Sequence, residues 1–269
     1  MFEKSTEAPS FYRSHGPSAD GREGFESLSS TASPWGPDSQ HGGPPAGLLV
    51  RSIEGLSDAM IGRFTMELLG PVPVGDVAVS ASILRPGRTV QLAAAEMYDV
   101  ARGRPVATAR AWLFPASGAG PDQEPSAPAH GPEDGTRRER PAGWGGGYVD
   151  AVDWRWITGD LADPGPGVVW MRPPDLVEGE HVSPVQRLVT CADSASGVSA
   201  VFDPREWGFL NTELTVHVLR PPEGEWVCLD AETTLSTGAT GMAVSEVHDR
   251  RGLVARSTQA LLVQPRTPR

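Results

Sequence analysis

Ser183-Pro184-Val185-Gln186-Arg187-Leu188-Val189-Thr190-Cys191-Ala192-Asp193 opens with a helix-start signal and closes on a carboxylate. Ser183 stands in the N-cap position, Pro184 at the first helical position and Gln186 three residues after the cap. A hydroxyl and a glutamine amide at that spacing satisfy each other's free backbone N–H groups, and proline tolerates the first turn because its missing N–H is not needed there. Val185, Leu188, Val189 and Ala192 then recur at helical spacing, which predicts a short helix with one apolar face. Such a helix must be covered. The stretches after it, 211–219, 227–236, 243–248 and 253–263, read as strands, with Leu214, Val216 and Val218 alternating against Glu213, Thr215 and His217. Two further strand candidates, 152–157 and 168–171, lie ahead of the helix.

The same order occurs earlier in the chain. Residues 42–56, GGPPAGLLVRSIEGL, place Leu48, Leu49, Ile53 and Leu56 on one helical face. A strand candidate at 25–30 precedes them, and candidates at 63–69, 77–84, 89–99 and 106–114 follow. Pro71 and Pro221, 150 positions apart, end the first long strand of each block. Each block is therefore strand, buried helix and about four antiparallel strands. A curved antiparallel sheet wrapped around one helix, the hotdog arrangement, covers that helix's apolar face; a two-layer α+β repeat of other topology is the competing architecture. The expected class is α+β, a double hotdog of two tandem repeats.

Between the blocks, residues 115–147 hold almost no aliphatic side chains. Such a stretch buries too little surface to offset the entropy of ordering, so it reads as a linker. The expected domains are a loose tail at 1–23, an N-terminal hotdog at 24–114, the linker at 115–147 and a C-terminal hotdog at 148–265. The 269 residues carry a formal net charge of −11. That charge disfavours nucleic acid as a partner and means that an anionic ligand needs a local arginine cluster. The first residues, MFEKSTEAPSFYRSHG, lack the apolar run of a signal peptide. No window approaches the roughly 18 apolar residues of a spanning helix. The expectation is a cytoplasmic protein with no membrane partner. Cys191 and Cys228 show no metal or CxxC spacing, so two free buried thiols are expected, a single disulfide being the other arrangement.

Five motifs in order carry a family resemblance. They are His41-Gly42-Gly43, Leu84-Arg85-Pro86-Gly87-Arg88, Cys191-Ala192-Asp193, Arg220-Pro221 and Val254-Ala255-Arg256-Ser257-Thr258-Gln259. Together they resemble the double hotdog acyl-CoA thioesterases of the thioesterase II branch. The resemblance implies hydrolysis of an acyl-CoA or acyl-carrier thioester without a cofactor. It also implies a catalytic Asp, Ser or Thr, and Gln in the second half, which orient a water and the thioester carbonyl. The Asp falls on Asp193 and the Gln on Gln259. The Ser or Thr position falls on Asn211, a departure that puts the rate and the reaction in question. The first-half counterpart of Gln259 falls near Ala111, so that half looks catalytically degenerate.

Each assignment has a plainer competitor. Thioester hydrolysis needs an activated water and donors for the tetrahedral oxyanion. Asp193 suits the first task, burial making its carboxylate a stronger base, or it caps the turn Ser194-Ala195-Ser196-Gly197. Gln259 faces a cavity or satisfies a neighbouring backbone group, and Asn211 holds a water or ends a solvated strand. Gly42 and Gly43 offer free N–H groups at a helix start, or form a glycine turn. Arg85, Arg88 and Arg220 meet the phosphates or adenine of coenzyme A, or pair with surface carboxylates. Other chemistries lack their signatures: Gly197-Val198-Ser199-Ala200-Val201 misses the final glycine of a nucleophile elbow. The sequence has no HExxH and no P-loop, and its six His have no ligand spacing. Two functions from different classes remain, a thioester hydrolase and a non-hydrolytic acyl-CoA-binding or dehydratase- or cyclase-like protein. Fused halves already form an internal pseudo-dimer, so homo-oligomerisation stays open.

Overall fold

The computed structural model describes residues 10–18, 21–115, 126–140, 145–203 and 206–265. In the first half, β1 (Tyr12–Pro17), β2 (Glu23–Ser27), β3 (Ala32–Ser33) and β4 (Gly36–Gln40) precede helix α1 (Gly43–Glu54). β5 (Met60–Leu68), β6 (Asp76–Arg85), β7 (Gln91–Asp99) and β8 (Arg104–Phe114) follow it. The second half opens with α2 (Gly147–Ala151), β9 (Asp153–Thr158) and β10 (Gly167–Arg172). Helices α3 (Pro184–Ala192) and α4 (Ala195–Val198) come next. Then come β11 (Trp207–Asn211), β12 (Glu213–Val218), β13 (Val227–Leu235), β14 (Thr240–Asp249) and β15 (Gly252–Pro265). Apart from the β3–β4 pair, the strands form one antiparallel sheet in the order β1-β2-β6-β7-β8-β5-β12-β15-β14-β13-β10-β9, with β11 also on β15.

The two halves join at β5 and β12. Thr65 pairs with Thr215 across that seam, and their hydroxyls are 3.1 Å apart. Those residues are 150 positions apart, the same offset that separates Pro71 from Pro221, so a pseudo-twofold axis passes between them. Register carries the equivalence further. Thr65 pairs with Arg110 and Thr215 with Thr258, which makes Ala111 the counterpart of Gln259, at an offset of 148 where the seam has 150.

Both helices lie under the sheet and against each other. The capping box of α3 forms as expected, Gln186 N donating to Ser183 Oγ at 3.1 Å and Ser183 N to Gln186 Oε1 at 3.4 Å. Val185, Leu188, Val189 and Ala192 are buried, as are Leu48, Leu49 and Ile53 of α1. Leu56 departs from the expectation: α1 ends at Glu54 and the side chain is exposed. The start of each helix meets the end of the other, so the pair is antiparallel. Glu54 accepts from the Ser183 hydroxyl at 2.8 Å and the Gln186 amide at 2.7 Å, while Asp193 at the end of α3 lies against Gly42. Glycine permits the approach: a Cβ on Gly43 would fall 2.3 Å from the Thr190 carbonyl oxygen, and one on Gly47 2.5 Å from Thr190 Oγ1.

Three expectations need correction. The loose tail expected at 1–23 contains β1, with Phe11 and Tyr12 fully buried. Their amides bond to Asp175 O and Leu176 O of the second half, a long-range contact that local composition does not encode. Residues 1–9, 19–20, 116–125 and 141–144 of the expected tail and linker lie outside the described residues. Within the described part of the expected linker, Thr136 exchanges backbone hydrogen bonds with Trp156, and Trp170 Nε1 donates to His130 O. The strand expected at 211–219 is two strands. Asn211 opposes Leu261 but Thr215 opposes Thr258, four steps against three, so one extra residue bulges at Thr212.

Alanine substitution separates the helix contact from ordinary helix propensity. Gly43→Ala is expected to destabilise the protein by about 1–3 kcal/mol through overpacking. Gly197→Ala in α4, where no atom lies within 4 Å of the added methyl, is expected to stabilise by about 0.4–1 kcal/mol. Thermal denaturation of both variants checks the opposite signs.

Candidate active site

Asp193 is the C-cap of α3, the negative end of that helix and the unfavourable end for a carboxylate. Its side chain is only 3% exposed. The N-terminus of α1 compensates. Positions 44 and 45 are prolines and have no N–H, and Ala46 N already donates to Gly42 O. The donors left at that helix end are therefore the amides of Gly42 and Gly43. A Cβ on Gly42 would sit 2.7 and 2.8 Å from the two Asp193 carboxylate oxygens, so only glycine lets the carboxylate lie there.

Side chains from three other places converge on the same carboxylate. Gln259 of β15 is fully buried. Its amide nitrogen donates to Asp193 O at 3.0 Å and Oδ1 at 3.2 Å. Its oxygen accepts from Ser196 N at 3.0 Å. It therefore serves the helix-end backbone and the carboxylate together, and the capping of the turn after Asp193 falls to Gln259 rather than to Asp193. Asn211 Nδ2 donates to Asp193 Oδ1 at 2.7 Å. Period-two alternation puts Asn211 on the face of Glu213, Thr215 and His217, away from the core. The bulge at Thr212 reverses that parity, and Asn211 faces inward opposite buried Leu261.

His41 completes the cluster and was not singled out by sequence as a site residue. Its Nδ1 lies 3.2 Å from Asp193 Oδ2 and 3.1 Å from Gly43 N. One ring nitrogen cannot donate to the first and accept from the second. An ionised Asp193 facing a nitrogen lone pair would be repelled, so charge selects the Nδ1–H tautomer, donating to Asp193. In that tautomer Nε2 becomes the acceptor, and the 3.1 Å donation from Gly43 N to Nδ1 has to be given up. Burial lowers the His41 pKa, with the Asp193 charge pulling the other way, and keeps the ring neutral. Tyr148 stacks on that ring at 3.9 Å and 5°. Its hydroxyl donates to Thr190 O at 2.8 Å and lies 3.0 Å from Ser194 Oγ. The signal for His41 was its place before Gly42-Gly43 at a helix start; Tyr148, directly after the Gly-rich run 145–147, gave none.

Asp193, Gln259, Asn211, Gly42 and Gly43 thus come together, and the three arginines do not join them. Arg220 is committed to Asp249 by two bonds of 2.6 and 2.7 Å. That pair sits at the β14–β15 turn, seven residues along β15 from Gln259. Arg85 donates to Val90 O, and exposed Arg88 lies in the same β6–β7 connection. That connection ends beside Leu113, two residues from the degenerate position Ala111. Both thiols are buried and free, and burial pushes each up to about 12. Among the described residues no three His, Cys, Asp or Glu side chains gather as metal ligands would, and no helix is long and apolar enough to cross a membrane.

Comparison with known proteins follows the same division of the chain. Residues 31–114 match the model of the acyl-CoA thioesterase N-terminal domain, and residues 121–263 that of the C-terminal domain. None of the curated proteins compared matches the chain. Among solved structures, the chain is similar to a conserved protein with hot dog fold from Alicyclobacillus acidocaldarius. The identity is 20%, the TM-score 0.73, and the match covers 94% of this chain and 96% of that one. It is also similar to an acyl-CoA thioesterase II, TesB2, from Mycobacterium marinum (16% identity, TM-score 0.65, 84% and 90% covered). A TesB protein of Mycobacterium avium subspecies paratuberculosis gives 16% identity and a TM-score of 0.64 over 91% and 93% of the two chains. These likenesses establish the double hotdog fold.

The lowered His41 pKa sets a pH dependence of stability. Below its ordinary value of 6.5 the unfolded imidazole takes up a proton that the folded one refuses, and His248 is shifted in the same direction. Stability is therefore expected in full above about pH 6.5 and to fall as pH drops from there toward the folded value. Urea midpoints between about pH 7 and pH 5.5 should decline, and less steeply in His41→Asn. An unchanged slope in that variant would exclude His41 as a titrating group.

Proposed function

The chain belongs to the acyl-CoA thioesterase family, and from that premise we propose that it hydrolyses acyl thioesters of coenzyme A or an acyl carrier, in the cytoplasm, at the carboxylate of Asp193. The observation that carries the proposal is the convergence of Asn211, Gln259 and His41 on one buried carboxylate beside the α1 N-terminus. In this reading Asp193 takes a proton from a water whose oxygen attacks the thioester carbon. Asn211 and Gln259 orient the carboxylate, and His41 holds its second oxygen. The Gly43 amide, with Gly42 beside it, donates to the carbonyl oxygen as negative charge develops there. The carbon–sulfur bond then breaks, the proton passes from Asp193 to the leaving sulfur, and the acid and thiol are released. Asn211, where the resemblance implies Ser or Thr, donates to the carboxylate as a hydroxyl could, and so suits an orienting role.

A second reading, acyl-CoA binding without hydrolysis, draws on one observation. Both Asp193 oxygens already face protein donors and the side chain is 3% exposed, which restricts a water's approach. A panel of acyl-CoAs with a thiol reagent decides between the two. Wild-type protein is expected to release thiol, and Asp193→Asn to lose at least about 100-fold, in line with removal of a general base. Thermal stabilisation by acyl-CoA with no thiol released by the wild type would favour the binding protein and end the hydrolase proposal.

A further inference from the structure

A cleft of about 760 Å³ opens outside the Asp193 cluster, between the 137–140 segment and the start of β9. Its floor is apolar, made by Trp154, Trp156 and Leu161, and its rim carries Arg137, Arg138, Arg140 and Arg172 together with Glu139, Asp150 and Asp153. The segment is held in place rather than merely adjacent: Thr136, just before it, exchanges two backbone hydrogen bonds with Trp156.

The rim is a built cation cluster. Arg137 binds the Asp153 carboxylate through two nitrogens at 3.2 and 3.1 Å. Arg155 reaches the same carboxylate at 3.3 Å and Arg172 at 3.6 Å. Asp153 thus organises three guanidiniums, and Arg172 also meets Glu225 at 3.6 Å, so two carboxylates face the three. Burial pushes the Asp153 carboxyl up, but the hydrogen bonds and charges of Arg137 and Arg155 outweigh it and hold the group below its usual range. Arg140 pairs with Asp150. Arg138 lines the cleft with no partner among the described residues. Four arginines against three carboxylates line the cleft, a local net charge of +1 in a chain whose formal charge is −11, which an anionic ligand could use. Guanidinium forks match phosphate oxygens, and each keeps spare N–H donors while shared on Asp153.

The cleft also lies at a serviceable distance from the chemistry. Trp154 meets the Tyr148 ring edge-on at 6.2 Å, and Tyr148 stacks on His41 at 3.9 Å. The pantetheine arm of coenzyme A, extended, spans more than those two ring contacts. We propose that this cleft binds the phosphorylated nucleotide end of the acyl-CoA, with Arg138 and its neighbours on the phosphates and the apolar floor beneath. The inference rests on acyl-CoA as the ligand and supplies the recognition that Arg85, Arg88 and Arg220 were expected to give.

Steady-state kinetics with an acyl-CoA and with the same acyl group on pantetheine, which lacks the nucleotide, test it. Arg138→Ala should raise KM for acyl-CoA about tenfold, as for loss of a charge-assisted hydrogen bond. Arg138→Glu should raise it further. Neither should change kcat or the KM for acyl-pantetheine. Calorimetric binding of free coenzyme A gives a readout independent of turnover, expected to be weakened by the same factors. An unchanged KM or Kd for the coenzyme A ligands in Arg138→Glu overturns the inference and leaves hydrolysis standing, as does equal loss on acyl-pantetheine. Coenzyme A binding that depends on Arg138, in a protein that cleaves no thioester, would end the hydrolase reading and keep this one.

Discussion

The antiparallel contact between α1 and α3 is the constraint on which the rest depends. Gly42, Gly43 and Gly47 remove the side chains that would hold the helices apart, and the backbones close until Thr190 and Asp193 touch α1. That approach puts the negative end of one helix, with its carboxylate, at the positive end of the other. Two opposed partial charges and one full charge then share a water-poor space, where electrostatic terms weigh more than they would at the surface. The prolines at 44 and 45 sharpen the arrangement by removing N–H groups that would compete for the same partner.

The pseudo-twofold axis between Thr65 and Thr215 makes the inequality of the halves informative. Glu54 and Asp193 are related places, each a carboxylate at a helix end against the start of the other helix. Glu54 meets a serine hydroxyl and a glutamine amide that belong to a capping box, and burial raises its pKa against those bonds. Its half has Ala111 where the other has Gln259. One carboxylate closes a helix cap, and its relative is surrounded by side chains that fix its orientation. The shared sheet lets these roles diverge without disturbing the seam.

Much of this architecture can be read from local patterns because local physics dictates it. The Ser183–Gln186 box, the helix stripes and the strand alternation each depend on residues within a few positions of one another. Asp193 and Gln259 could be named because their motifs fall in an order that resembles a known family, and Ala111 because β8 and β15 keep equivalent registers against β5 and β12, at an offset two residues shorter than the 150 of the seam. What escaped depends on distant partners. Phe11 and Tyr12 are ordered by the second half of the chain, Arg220 by a carboxylate 29 positions away, and His41 acquires its meaning only when Asp193 arrives beside it. The arginines of 137–140 looked like part of a linker because composition cannot show that Thr136 bonds to Trp156.

The extra residue at Thr212 makes the facing of a whole strand depend on one position. Removing it would restore regular pairing between β12 and β15 and turn the Asn211 amide outward, and Phe209, two residues earlier on β11 and packed against the core, would turn with it. A one-residue deletion is therefore felt by the carboxylate and by the apolar interior together. Retention of the bulge is the feature to look for in a relative of similar shape, because overall shape alone does not tell whether Asn211 still reaches Asp193.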